Sequence, residues 1–168
     1  MTNANELYRY HVWGNDKVLR HLGELPEDIL HRELQSVFPS VGETLSHVYV
    51  VDNLWLSAMA GDSLEAIRAS LPSLQDEVKG ASLDTFQARF SEVVDRFHVF
   101  FERQPDLEAW SEYPHPRFGP LRARYSDIVQ HIVNHGTYHR GNITAMLRQM
   151  GFAGVATDYV FYLYSLAR

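Results

Sequence analysis

Apolar residues recur with helical spacing in four long segments, and Pro or Gly closes each one. The first runs from about Asn5 to Leu22 and ends at Gly23 and Pro26. The second opens after Pro39-Ser40, with Ser40 as N-cap and Glu43 three residues on, and continues to about Ala60 before Gly61. The third opens at Ser82 or Asp84 and repeats Phe86, Phe90, Val93, Val94, Phe97 and Phe101, an i, i+3, i+4, i+7 stripe that Pro105 closes. The fourth runs from about Ser126 to Met150, and Gly151 follows as a C′ residue. A short last helix, Asp158 to Leu166, is expected to pack Val160, Phe161 and Leu163 inward.

Two connections break this pattern. Ala109–Tyr125 carries three prolines and a glycine and predicts an irregular crossover with a short strand pair. Gly61–Ala81 reads as partly irregular, with a turn or two of helix in LEAIRASL. No repeat or composition shift divides the chain, so residues 1–168 read as one domain. The expected class is all-α: an up-down four-helix bundle with long crossover connections and a short C-terminal helix.

Composition narrows the chemistry. The chain has no cysteine, which excludes disulfides, thiolate metal sites and a cysteine nucleophile. A formal charge of −6 argues against nucleic acid as a partner, because that role needs a basic face. The start of the chain lacks a basic head followed by an apolar run, so no signal peptide is expected. No stretch reaches the roughly 20 apolar residues of a membrane span. A cytoplasmic protein, with no membrane partner, is the expectation.

Nine histidines remain to be explained. His131, His135 and His139 follow one another at i, i+4 on the fourth segment, one above the other on a helix face. All three cannot share one ion, because the outer two are separated by about 12 Å of rise. On a wheel with Ile128 at zero, Ile132, Ile143, Met146 and Met150 mark the core between roughly 0° and 60°. His139 then falls near roughly 20°, His135 near −20° and His131 near −60°, so the later two point inward. His47, with Val51 and Leu54 at i+4 and i+7, is the best third ligand. Spacing leaves two readings open for the pair: a metal site, or buried polar rings with protein partners. His11, His21, His31, His98 and His115 show no such pattern and read as solvated or bridging. There is no HExxH, the one Glu-x-x-His (Glu112–His115) contains Pro114, and no nucleophile elbow, phosphate loop or dinucleotide fingerprint occurs.

The stretch HIVNHGTYHRGNITAMLRQMG resembles the C-terminal HxxxHRGQ motif of the DinB/YfiT-like metalloprotein family. The opening YRYHVWGNDKVLRHLGELP, with Tyr10, Trp13 and Asn15, is similar to the family's tyrosine and Trp-x-Asn pattern. The segment ETLSHVYVVDNLWL resembles the one that supplies its first metal histidine, and the tail TDYVFYLYSLA matches in character. Asn142 stands where the family usually has Gln, a shortening that keeps the amide.

The resemblance implies a four-helix bundle with a three-histidine metal site, its ligands falling on His47, His135 and His139. It also implies one divalent ion, zinc or nickel first, with iron or manganese as further options. A homodimer is implied as well. Asn15, Asp52 and His131 become candidates for supporting the ligands. Trp13 and Trp55 read as core or cavity wall, and Arg140 as a partner in a structural salt bridge. Relatives in the wider superfamily use the metal to lower the pKa of a small thiol such as bacillithiol or mycothiol. The implied function is therefore a metal-dependent thiol transferase acting on a small-molecule substrate, with a low-molecular-weight thiol as cofactor. A metal-dependent hydrolase and a non-catalytic metal-binding stress protein are the alternatives. No catalytic residue beyond the ligands is assigned.

Overall fold

The computed structural model describes residues 4–115 and 117–167; Pro116 of the expected crossover lies outside them. The four long helices form where the periodicity places them: α1 Ala4–Gly23, α2 Val41–Met59, α4 Leu83–Arg103 and α5 Tyr125–Gln149. α1 packs against α5 and α4, and α2 packs against the same two, so the four surround a shared core. The all-α expectation holds, with one two-stranded ribbon added. None of the described helices is long and apolar enough to cross a membrane.

Local signals set the boundaries. Ser40 Oγ accepts the Glu43 backbone N–H at 3.1 Å and starts α2. Ser82 does the same for Thr85 at the start of α4. At α5 the Asp127 carboxylate accepts both the backbone N–H (3.0 Å) and the guanidinium of Arg124 (2.7 Å), which begins the helix one residue before the expected Ser126. The α4 stripe faces inward: Phe86, Phe90, Val93 and Phe97 are buried, and Phe97 stacks on Tyr8 of α1 at 4.3 Å.

Two expectations are corrected. The linker after Gly61 contains a full helix, α3, from Leu64 to Asp76, although Pro72 lies inside it. Ser63 caps it through the Ala66 N–H, and only Ile67 is buried, so the weak apolar signal hid a helix held by its cap and by α2. The second correction concerns α6, Tyr159–Leu166, where Val160, Phe161 and Leu163 are exposed and Tyr162 is the buried residue. Tyr162 packs on Tyr10 and Trp13 of α1, and Tyr159 meets Tyr10 edge-on at 5.0 Å. A two-turn helix offers one narrow face, and here the i, i+3 tyrosine pair occupies it. The crossover does contain the short strand pair, β1 Trp110–Tyr113 antiparallel to β2 Leu121–Arg124, with Trp110 opposite Arg124.

Gly136 of α5 has a steric reason to be glycine. A Cβ there would stand 2.3 Å from Cε1 and 2.4 Å from Nδ1 of the buried His11 ring, whereas one on Gly141 would meet nothing within 4 Å. Gly136→Ala is therefore expected to destabilise the fold by about 1–3 kcal/mol through overpacking. Gly141→Ala should stabilise it by up to about 1 kcal/mol through helix propensity. Urea denaturation of the two variants checks the pair, and equal effects would refute the steric account.

Candidate metal centre

Each ligand candidate is placed by a helix already fixed by packing. His135 and His139 lie one turn apart on α5, and α2 brings His47 across from them. His135 Nε2 stands 3.0 Å from His47 Nε2 and 3.1 Å from His139 Nε2. One ring nitrogen from each of the three lies within 4.8 Å of the others. The graded inward turn along α5 matches the wheel: His139 is buried, His135 half-buried and His131 exposed. His131 packs against the edge of Trp55 at 5.0 Å, apart from the cluster. His47 is half-buried, as are Val51 and Leu54, so it faces the α2–α5 seam and not the centre of the core.

The donor set fits a cation. A neutral imidazole nitrogen carries either one proton or one lone pair. His135 Nε2 therefore cannot form good hydrogen bonds with both of its neighbours. Three lone pairs directed at one point remove that conflict if a divalent ion sits among them. The N–N separations agree: two nitrogens each about 2.0–2.1 Å from a tetrahedral zinc stand about 3.3 Å apart.

Electrostatics keep the lone pairs free. Burial, followed by the neighbouring histidines, pushes His135 down to about 3. Burial and then His47 push His139 down to about 4. His47 is also lowered by burial, against a smaller upward pull from Asp52. All three rings are thus neutral near pH 7, the form that binds a metal.

Supporting contacts differ from expectation. Asn142, three residues past His139 on the same face, places its amide nitrogen 3.3 Å from His139 Nδ1. A metal-held His139 carries its proton on Nδ1, and the same amide turned over presents an oxygen to accept it. The i, i+3 spacing was the available signal for this partner. Phe38, just ahead of α2, lies against His47 at 4.8 Å and His139 at 5.6 Å. Tyr138 meets His139 edge-on at 4.9 Å.

Asn15 and Asp52 do not support the metal ligands; both turn to His11. That corrects the reading of His11 as solvated or bridging, since it is 1% exposed and bonds Asp52 Oδ2 through Nε2 at 2.9 Å. The expected Arg140 salt bridge is likewise absent among the described residues. The buried guanidinium donates to Asn15 Oδ1 and Thr137 Oγ1, each at 2.9 Å, and lies over the Tyr10 ring. The other four histidines behave as expected: His21 and His31 bond backbone carbonyls, His115 accepts two backbone N–H groups, and His98 is exposed.

A cavity adjoins one of the three histidines. A cavity of about 430 Å³ reaches His47 and is lined among others by Phe38, Glu43, Ser46, Gln75, Asp76 and Lys79. Among the described residues, the group that can hold an ion contains three histidines and no carboxylate. Three protein ligands leave a coordination position of a tetrahedral ion to a group from outside the described cluster.

A helical fold with a three-imidazole cluster that can hold a metal is the class of protein defined so far. The chain belongs to the DinB family, whose model matches residues 1–167. It is 39% identical over 161 residues to a Bacillus subtilis (strain 168) protein described as Protein DinB, covering 96% of this chain and 94% of that one. A crystal structure of a DinB-like protein from Bacillus cereus ATCC 10987 shares the fold, with a TM-score of 0.66, 17% identity, and coverage of 91% of this chain and 94% of that one.

Metal analysis of tag-free protein tests the cluster. Wild type should hold about one divalent ion per chain, and His47→Ala, His135→Ala and His139→Ala should each lose most of it. Full occupancy in any variant removes that residue from the ligand set. His131→Ala should retain the ion.

The lowered histidine pKa values also predict an acid profile for the metal-free protein. Unfolded histidines take up protons near 6.5, whereas folded His135 and His139 resist until about 3 and about 4. The unfolded state then binds more protons, so stability falls as pH drops below about 6.5 and levels off once the folded rings titrate. The urea midpoint measured against pH should show this loss, with a shallower slope in His135→Gln.

Proposed function

We propose that this protein is a divalent-metal-dependent enzyme that uses a small thiol as its cofactor, a thiol S-transferase in type. The observation that carries the reading is the three-histidine cluster, whose His47 lines a cavity of about 430 Å³. When bound, a divalent ion there would supply Lewis acidity that favours the deprotonated form of a thiol at neutral pH.

The chain's own residues set the conditions for that chemistry. His47, His135 and His139 would hold the ion as neutral donors, which leaves its positive charge uncompensated by protein carboxylates. Asn142 fixes the orientation of His139, and Phe38 shields the rings of His47 and His139 from water. Ser46 Oγ donates to the Val78 carbonyl at 3.2 Å and ties α2 to the end of α3, which keeps the cavity wall in place. With no cysteine in the chain, the sulfur has to come from a diffusible molecule. The same reading takes zinc or nickel as the ion and a cytoplasmic homodimer as the working unit. Support for the dimer comes from α6, which leaves Val160, Phe161 and Tyr164 exposed for a second copy to cover.

The test is conjugation of a generic electrophile, 1-chloro-2,4-dinitrobenzene, by a panel of small thiols, with sedimentation of the same sample reading its mass. Zinc- or nickel-loaded protein should accelerate the reaction with at least one thiol, and His135→Ala should lose the acceleration. Equal rates for loaded and metal-free protein with every thiol would remove the transferase reading.

A further inference from the structure

A second polar group in the core, built around His11 and Asp52, adjoins the α1–α4 side of the molecule. A cavity of about 350 Å³ is walled by Tyr8, Val12, Trp13 and Phe90 and reaches His11, Asn15 and Asp52. Its volume falls in the range of small-molecule sites, and its make-up is also typical, with apolar walls and a few convergent polar groups.

The polar end is a close-set group. Arg140 Nη1 donates to Asn15 Oδ1 at 2.9 Å and stands 3.5 Å from His11 Nδ1. His11 Nε2 meets both Asp52 Oδ2 at 2.9 Å and Asn15 Nδ2 at 3.0 Å. This uses one oxygen of Asp52. The other, Oδ1, is buried and has no hydrogen-bond partner among the described residues, and the residue is only 1% exposed. Burying an acceptor without a partner is costly, and more so when the group is charged. Arg140, a buried cation beside the group, directs Nη1 and Nη2 to Asn15, Thr137 and His11, and among the described residues its Nε has no partner and none of its donors bonds Asp52.

From this we infer that the α1–α4 cavity is a binding site for a small organic ammonium ion, its N–H donating to Asp52 Oδ1 and its apolar body lying against Trp13, Val12 and Phe90. A cationic donor answers both properties of the free oxygen, its lone pairs and its charge. The aromatic walls favour the same ligand, because ring faces attract cations. Tyr8, on the same wall, has its phenol held well above its ordinary pKa by burial and then by the Asp52 charge, so the field of that carboxylate reaches into the cavity. Nothing in this inference uses the metal, and it stands or falls apart from the transferase reading.

Benzylammonium is the probe, with benzyl alcohol and benzoate as neutral and anionic analogues of like shape. Zinc-loaded, ¹⁵N-labelled protein is titrated with each and followed by two-dimensional NMR. Benzylammonium should give saturable shifts at Val12, Trp13 and Phe90, with the analogues at least ~10-fold weaker. Asp52→Asn should weaken benzylammonium by a similar factor. Ser91→Phe, at an exposed α4 position on the cavity rim, should block entry without touching the buried network. It keeps the test valid if Asp52→Asn fails to fold. No saturation by benzylammonium, equal binding of benzyl alcohol, or undiminished binding by Ser91→Phe would each overturn the inference.

Discussion

The ring of His11 lies flat in the space that a side chain on Gly136 would fill, and three helices are positioned by that contact. Its Nε2 reaches Asp52 on α2, Asn15 holds it from its own helix, and Arg140 closes the group from α5. Polar groups this deep stabilise a fold only when their bonds are made, and these bonds form only if α1, α2 and α5 keep their relative positions. Asp52 is five residues beyond His47 and Arg140 is next to His139, so the same group sets the spacing of α2 and α5 at the metal centre. The interlock and the candidate site thus share a scaffold.

The two histidine sets illustrate how environment divides one side-chain chemistry. His11 has a carboxylate partner, an amide and a guanidinium neighbour, so its ring is held by protein groups. His47, His135 and His139 face mainly one another, and burial with mutual repulsion keeps them uncharged. Protein partners satisfy the first, whereas the second has lone pairs converging on one point, where a cation is the natural complement. Family membership rests on the model that matches residues 1–167, and the 17% identical structural neighbour speaks only to the fold.

Much of this was legible along the chain, for physical reasons that can be named. A 3.6-residue apolar period and strong caps at Ser40 and Ser82 specify helices locally, so α1, α2, α4 and α5 were readable. Helix α3 was readable only as a turn or two in LEAIRASL, because its single buried residue leaves no stripe and Pro72 argues against a longer helix. The α6 error has a related origin, since in a short, almost wholly apolar helix the pattern does not choose a face.

At the candidate site, the sequence by itself determined the helix-five pair, because i, i+4 spacing and 1.5 Å rise are properties of one helix. It also ranked His131, His135 and His139 by inward turn. Tertiary structure alone decided which helix faces that pair, and with it the 3.0 Å approach of His47. It also brought Asp52 and Arg140 to His11 and left one Asp52 oxygen without a partner among the described residues. Those contacts join residues 41 to 129 positions apart, a separation at which no local period carries information.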